Sequence, residues 1–91
     1  MRVHAVVRGR VQGVGFRWFV RELASELQLA GWVMNRDDGA VEVLAEGTDA
    51  GIARLRAALE RGPAGSEVEH VDVLDDTEPV GANTGPFLIR R

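Results

Sequence analysis

Gly9, Gly13 and Gly15 fall between an apolar alternation (Val3, Ala5, Val7) and a helical pattern beginning near Phe16, and Arg17 follows in what should be the first helical turn. Glycine has no Cβ, so it accepts unusual backbone angles and lets another group approach the main chain closely. Successive N–H groups in such a loop, running into a helix N-terminus, form a concavity that favours an anion. Arg17 adds a planar fork of donors that can grip two oxygens of a phosphate or carboxylate at once. The stretch reads as an anion cradle.

Each candidate residue has a plainer reading beside the chemical one. Arg17 reads most simply as an exposed helical residue paired with Glu22 or another carboxylate. However, a cation at a helix N-terminus is electrostatically unfavourable, and an anionic ligand would offset that. Asn35 is either a residue entering a hairpin turn or a carboxamide that orients a water by donating and accepting together. Gly13-Val14-Gly15 is not a dinucleotide fingerprint, because Trp18 stands where the third glycine belongs. A Walker-type loop needs a lysine, and all eleven basic residues are arginine. His70 and Asp72 share a strand face, but two ligands do not make a metal site, and none is expected. Ser25 and Ser66 lack a nucleophile motif. Trp18, Phe19 and Trp32 are expected to pack rather than to stack on bases.

Length and composition bound the rest. Ninety-one residues, 45% hydrophobic and 27% charged, fit one globular domain spanning 1–91. With no cysteine, disulfides, thiolate chemistry and cysteine-held metals are excluded. The net charge of −3 argues against nucleic acid as a partner. No apolar run approaches the ~20 residues of a membrane span, and the N-terminus enters a strand pattern without a signal-peptide core. A soluble, cytoplasmic monomer is expected.

The elements that must carry these residues follow from periodicity. Residues 2–8 alternate as a first strand, and Phe16, Phe19, Val20, Leu23, Ala24 and Leu27 make a helical stripe to about Leu29. Gly31 suits a left-handed cap there. Residues 31–36 and 40–46 read as a hairpin around Asp37-Asp38-Gly39. Thr48-Asp49 offers an N-cap to a second helix ending near Arg61-Gly62-Pro63. Val68, Val71 and Val73 mark a fourth strand whose broken spacing predicts a bulge near Glu69-His70. Residues 75–86 read as a loop before a short strand at Phe87-Leu88-Ile89. The order β-α-β-β-α-β, with a small extra strand, predicts an α+β, ferredoxin-like split-βαβ sandwich. Its antiparallel sheet should carry both helices on one face.

Taken together, these residues resemble the acylphosphatase family. Its first signature is met by Val7-x-Gly9-x-Val11-Gln12-Gly13-Val14-x-Phe16-Arg17. Its second is met by Gly31-Trp32-Val33-Met34-Asn35, then Gly39-x-Val41 and Gly47. The resemblance covers essentially the whole chain and is to the small free-standing members, there being no zinc-finger cysteines. It implies hydrolysis of an acyl phosphate, a mixed carboxylic–phosphoric anhydride, to a carboxylate and inorganic phosphate. It implies further that the amides of Val11, Gln12, Gly13, Val14 and Gly15 cradle the phosphoryl oxygens. Arg17 would bind that group and stabilise transition-state charge, and Asn35 would position the attacking water. No metal, cofactor or covalent intermediate is implied. In some members the C-terminal carboxylate, here that of Arg91, helps to hold the arginine. The competing reading is a non-catalytic module on the same fold that binds phosphate or an acyl phosphate without turnover.

Overall fold

Alternation along the first strand decides which way the sheet faces. Val3, Ala5 and Val7 are fully or almost fully buried, and they join Val33, Val41, Val43 and Ala45 of neighbouring strands in one core cluster. The computed structural model describes residues 1–74 and 86–90. Its elements run β1 (Arg2–Arg10), α1 (Phe16–Glu26), β2 (Ala30–Asn35), β3 (Val41–Glu46), α2 (Asp49–Arg61), β4 (Glu67–Leu74) and β5 (Leu88–Arg90). Both helices close the same face: Phe16, Val20 and Ala24 of α1 and Ile52, Leu55 and Leu59 of α2 belong to that cluster.

The sheet order is β4-β1-β3-β2-β5. The antiparallel sheet expected from the sequence is present across β4, β1, β3 and β2, and β5 extends it as a strand parallel to β2, which makes the whole sheet mixed. The expected bulge lies in β4: the register shifts between Arg8 and Gly9, which oppose His70 and Val68 and leave Glu69 as the extra residue. Of the loop expected over 75–86, residues 75–85 lie outside the described residues.

The end of α1 differs from expectation. The helix stops at Glu26 rather than near Leu29, and Gln28, not glycine, takes the left-handed conformation at φ 58. Gln28 N–H donates to Ser25 O and Leu29 N–H donates to Ala24 O, the paired bonds of a Schellman ending, with Leu29 buried after the cap. Gly31 has another duty inside β2. A Cβ there, at φ +139, would lie 1.9 Å from Leu44 O of β3. Only a residue without a side chain lets β2 approach β3 at that point. The second helix begins as expected, with Thr48 Oγ1 accepting from Gly51 N–H at 3.1 Å.

The outer face of the sheet carries a chain of charged contacts. His4 lies 2.6 Å from Glu42, Arg36 reaches Glu42 and Asp38, and Arg8 bridges Asp38 and Asp72. Hydrogen bonding from Arg8, with His70 adding to it, holds the Asp72 carboxyl below the usual carboxylate range.

Two expectations follow. Gly31→Ala forces a methyl group into the β3 backbone and should lower unfolding free energy by roughly 3 kcal/mol, read from urea unfolding; a loss under ~0.5 kcal/mol would mean that β2 and β3 adjust freely. Asp72 has a depressed folded-state pKa, so its contribution is present above the unfolded carboxylate pKa of about 4 and is lost as pH falls through the lower folded value. The melting temperature should therefore drop less between pH 6 and pH 3 in Asp72→Asn than in the parent chain.

Candidate active site

Sheet register brings the end of β1, from which the glycine loop departs, and Asn35 of β2 to one edge. Val7 of β1 and Asn35 of β2 both pair with Val41 of β3, so the three lie in one row. Two strand spacings separate Val7 from Asn35, about 10 Å. Because strand side chains alternate, Asn35 shares the inward face of Gly31 and Val33. Asn35 is the last residue of that inward series, placed where the sheet ends and the core cover gives out.

The chain leaving β1 supplies the other half of the site. Gly13 and Gly15 have φ of 76° and 77°, and a Cβ added at either would meet nothing within 4 Å. Packing does not require glycine at these positions; backbone conformation does. Gly15 is the N-cap of α1 and provides no side-chain cap, and the first turn has no acidic residue. The first intrahelical bond runs from Phe19 N–H to Gly15 O at 3.0 Å. The N–H groups of Phe16, Arg17 and Trp18 therefore precede the hydrogen-bonded ladder and carry the positive end of the helix dipole.

Gln12 uses its side chain to pin this loop. Its Nε2 donates to Arg36 O at 2.8 Å and to Ala40 O at 2.9 Å, tying the loop to the turn that follows Asn35. That turn is itself closed by Arg36 N–H to Ala40 O and by Ala40 N–H to the Asp38 carboxylate. The Ala40 N–H donation, with Arg36 and Arg8 nearby, holds Asp38 below the usual carboxylate range. Sequence reasoning placed Gln12 in the loop but missed this anchoring; a long amide side chain among glycines was the available signal.

Arg17 and Asn35 line one cleft of about 300 Å³, together with Val11, Gly13, Gly15 and Ile89. Val11 is buried, and Val14 packs partly against the core, so the loop is seated from below. Glu22 pairs with Arg21 at 3.2 Å rather than with Arg17. Arg17 has no hydrogen-bonded or ionic partner among the described residues. Trp18, expected to pack, is instead 59% exposed at the rim of the cleft, whereas Phe19 packs partly against the core as expected. Trp32 sits half-buried on the outer face, with the Arg90 guanidinium 5.0 Å from its ring centre. His70 and Asp72 are 2.6 Å apart on β4, and Arg91 lies outside the described residues. No described helix is long and apolar enough to cross a membrane.

Known proteins with this sequence pattern agree in kind. The family model for acylphosphatase matches residues 3–85. A protein named acylphosphatase from Koribacter versatilis is 56% identical over 70 residues, which cover 77% of this chain and 64% of that protein. Another from Nitratidesulfovibrio vulgaris is 47% identical over 98% of this chain and 88% of its own length. The crystal structure of acylphosphatase from Bacillus subtilis superposes with a TM-score of 0.89 at 41% identity, covering 99% of this chain and 98% of that one. By the family match, by identity over nearly the full length and by fold, the chain belongs to the acylphosphatase family of hydrolases.

Proposed function

We propose that this chain hydrolyses acyl phosphates through Arg17, Asn35 and the amides of residues 11–15, without a metal or cofactor. One observation carries the reading: Arg17 and Asn35, from different elements, line the same cleft as Gly13 and Gly15. The phosphoryl group would lie over the loop, its oxygens accepting from backbone N–H groups and from the Arg17 guanidinium. Arginine stays charged throughout the accessible pH range and offers two parallel donors to two oxygens. Asn35 would hold a water, its carbonyl accepting from that water and so directing a lone pair at phosphorus.

Attack then proceeds in line. The water oxygen forms a bond to phosphorus, the bond from phosphorus to the acyl oxygen breaks, and the carboxylate leaves with the electron pair. The water proton passes to a phosphoryl oxygen of the product. A carboxylate is a weak base, so it departs without a protein acid. What remains for the protein is orientation and stabilisation of charge on the equatorial oxygens. That division of labour suits a site with arginine and asparagine as its polar side chains. Partner and compartment belong to the same proposal: a monomer in the cytoplasm acting on a small diffusible substrate, with neither nucleic acid nor membrane. A net charge of −3 supports the exclusion of nucleic acid.

The test is hydrolysis of benzoyl phosphate in excess chelator, beside an ordinary phosphate monoester. The anhydride should turn over and the monoester should not. Phosphate-dependent thermal stabilisation without any turnover would make this a binding module instead. Arg17→Ala should reduce kcat/KM by ~10²–10³ or more, the scale for one preorganised charge-stabilising donor; a variant keeping a quarter of wild-type turnover would remove Arg17 from the centre of the mechanism. Asn35→Ala should lower kcat far more than it weakens inhibition by inorganic phosphate. The opposite split would assign Asn35 to binding.

A further inference from the structure

We infer that the acyl half of the substrate lies in an apolar groove beside the cleft, with Trp18 as its principal contact, so that aromatic and bulky apolar acyl phosphates are preferred. This rests on the hydrolase reading above. The groove, of about 490 Å³, runs between Val14, Trp18, Phe19 and Leu23 on one side and Pro63-Ala64 on the other. It shares Gly15 and Trp18 with the cleft that holds Arg17 and Asn35, so the two spaces adjoin at the helix start. Val14, Phe19 and Leu23 are already packed against the core and form a fixed apolar floor. Trp18, 59% exposed, leaves its ring free to cover a ligand.

Reaction geometry gives the groove its occupant. In-line displacement puts the leaving group on the side of phosphorus opposite the attacking water. Asn35 lines the cleft but not the groove, whereas Pro63 and Ala64 line the groove but not the cleft. A carboxylate leaving on the side away from Asn35 would pass Gly15 and Trp18, the residues common to both spaces, towards Pro63. Charge narrows the class further. Glu22 and Glu26 line the groove, and among the described residues no basic one does. An acyl group bearing a second anion is repelled there, whereas a neutral ring gains apolar contact and edge or face contact with the indole.

The experiment compares kcat/KM for benzoyl and acetyl phosphate in the parent chain, in Trp18→Ala and in Ala64→Glu. Taking the benzoyl-to-acetyl ratio in each protein relative to the parent cancels the intrinsic reactivity of the two anhydrides. Both altered residues are exposed, so neither change empties the core. The ratio should fall at least about tenfold in each variant, the scale of a lost apolar contact of this size, and the loss should appear mainly in KM for benzoyl phosphate. Ratios within twofold of the parent in both variants, with both substrates still hydrolysed, would overturn the inference and leave the hydrolase reading intact. An unchanged ratio with a fall in apparent mass for Trp18→Ala would assign the groove to a second copy of the chain, and would overturn it equally. Hydrolysis of neither substrate by the parent chain would overturn the hydrolase reading, and this inference with it.

Discussion

β3 pairs with β1 on one side and β2 on the other, antiparallel to both, and the site depends on that arrangement. Two strands flanking a common antiparallel neighbour must run in the same direction, so their C-terminal ends emerge at the same edge of the sheet. The loop after β1 and the Asn35 end of β2 meet there because of pairing alone, before any side chain is considered. Val41, the partner of both Val7 and Asn35, is the residue through which that registration passes. Gly31 keeps β2 close enough to β3 for the register to hold, and Gln12 fastens the loop to the turn between them. A slip of one residue in β2 would turn Asn35 to the outer face and separate it from the cleft.

Given that frame, the electrostatics of the loop are what the scaffold positions. α1 begins without a capping side chain and without an acid in its first turn, and it carries a cation there instead. Most helix starts are arranged in the opposite sense, since acids and short polar caps stabilise the exposed N–H groups. That stability cost at one helix end, beside glycines whose Cβ directions are open, is what an anion in the proposed site would offset. Three carboxylates of the described residues are engaged elsewhere: Asp38 with Arg36 and Ala40, Asp72 with Arg8, and Glu22 with Arg21. None of these competes for Arg17.

Much of this was legible in the chain. Period-two alternation carried β1 and β3, Thr48 marked the start of α2, and the broken spacing in β4 located the bulge at Glu69. The glycines, Arg17 and Asn35 stood out by type, and alternation through Gly31 and Val33 gives Asn35 its inward face. Other features were hidden because they depend on contacts distant in sequence. The end of α1 was misplaced because Leu27 and Leu29 prolong the apolar pattern, whereas Leu29 is buried as part of the helix ending and Gly31 answers to the backbone of β3. The parallel sense of β5 follows from which edge it joins, and its three residues carry no signal of that.

Trp18 shows where helical phase decides what residue type does not. An aromatic side chain in an apolar stretch invites a packing role, yet at ~100° per residue it stands two positions, roughly 200°, from both Phe16 and Val20. Those two are buried, so Trp18 must point away from the core. Its exposure is thus a consequence of the same helix phase that seats Phe16 beneath the loop. Arg17, one position earlier, falls between these extremes and is half-buried at the mouth of the cleft. One helical turn thereby presents three different surfaces from consecutive residues: Phe16 to the core, Arg17 to the cleft that Asn35 also lines, and Trp18 to the rim between that cleft and the neighbouring groove.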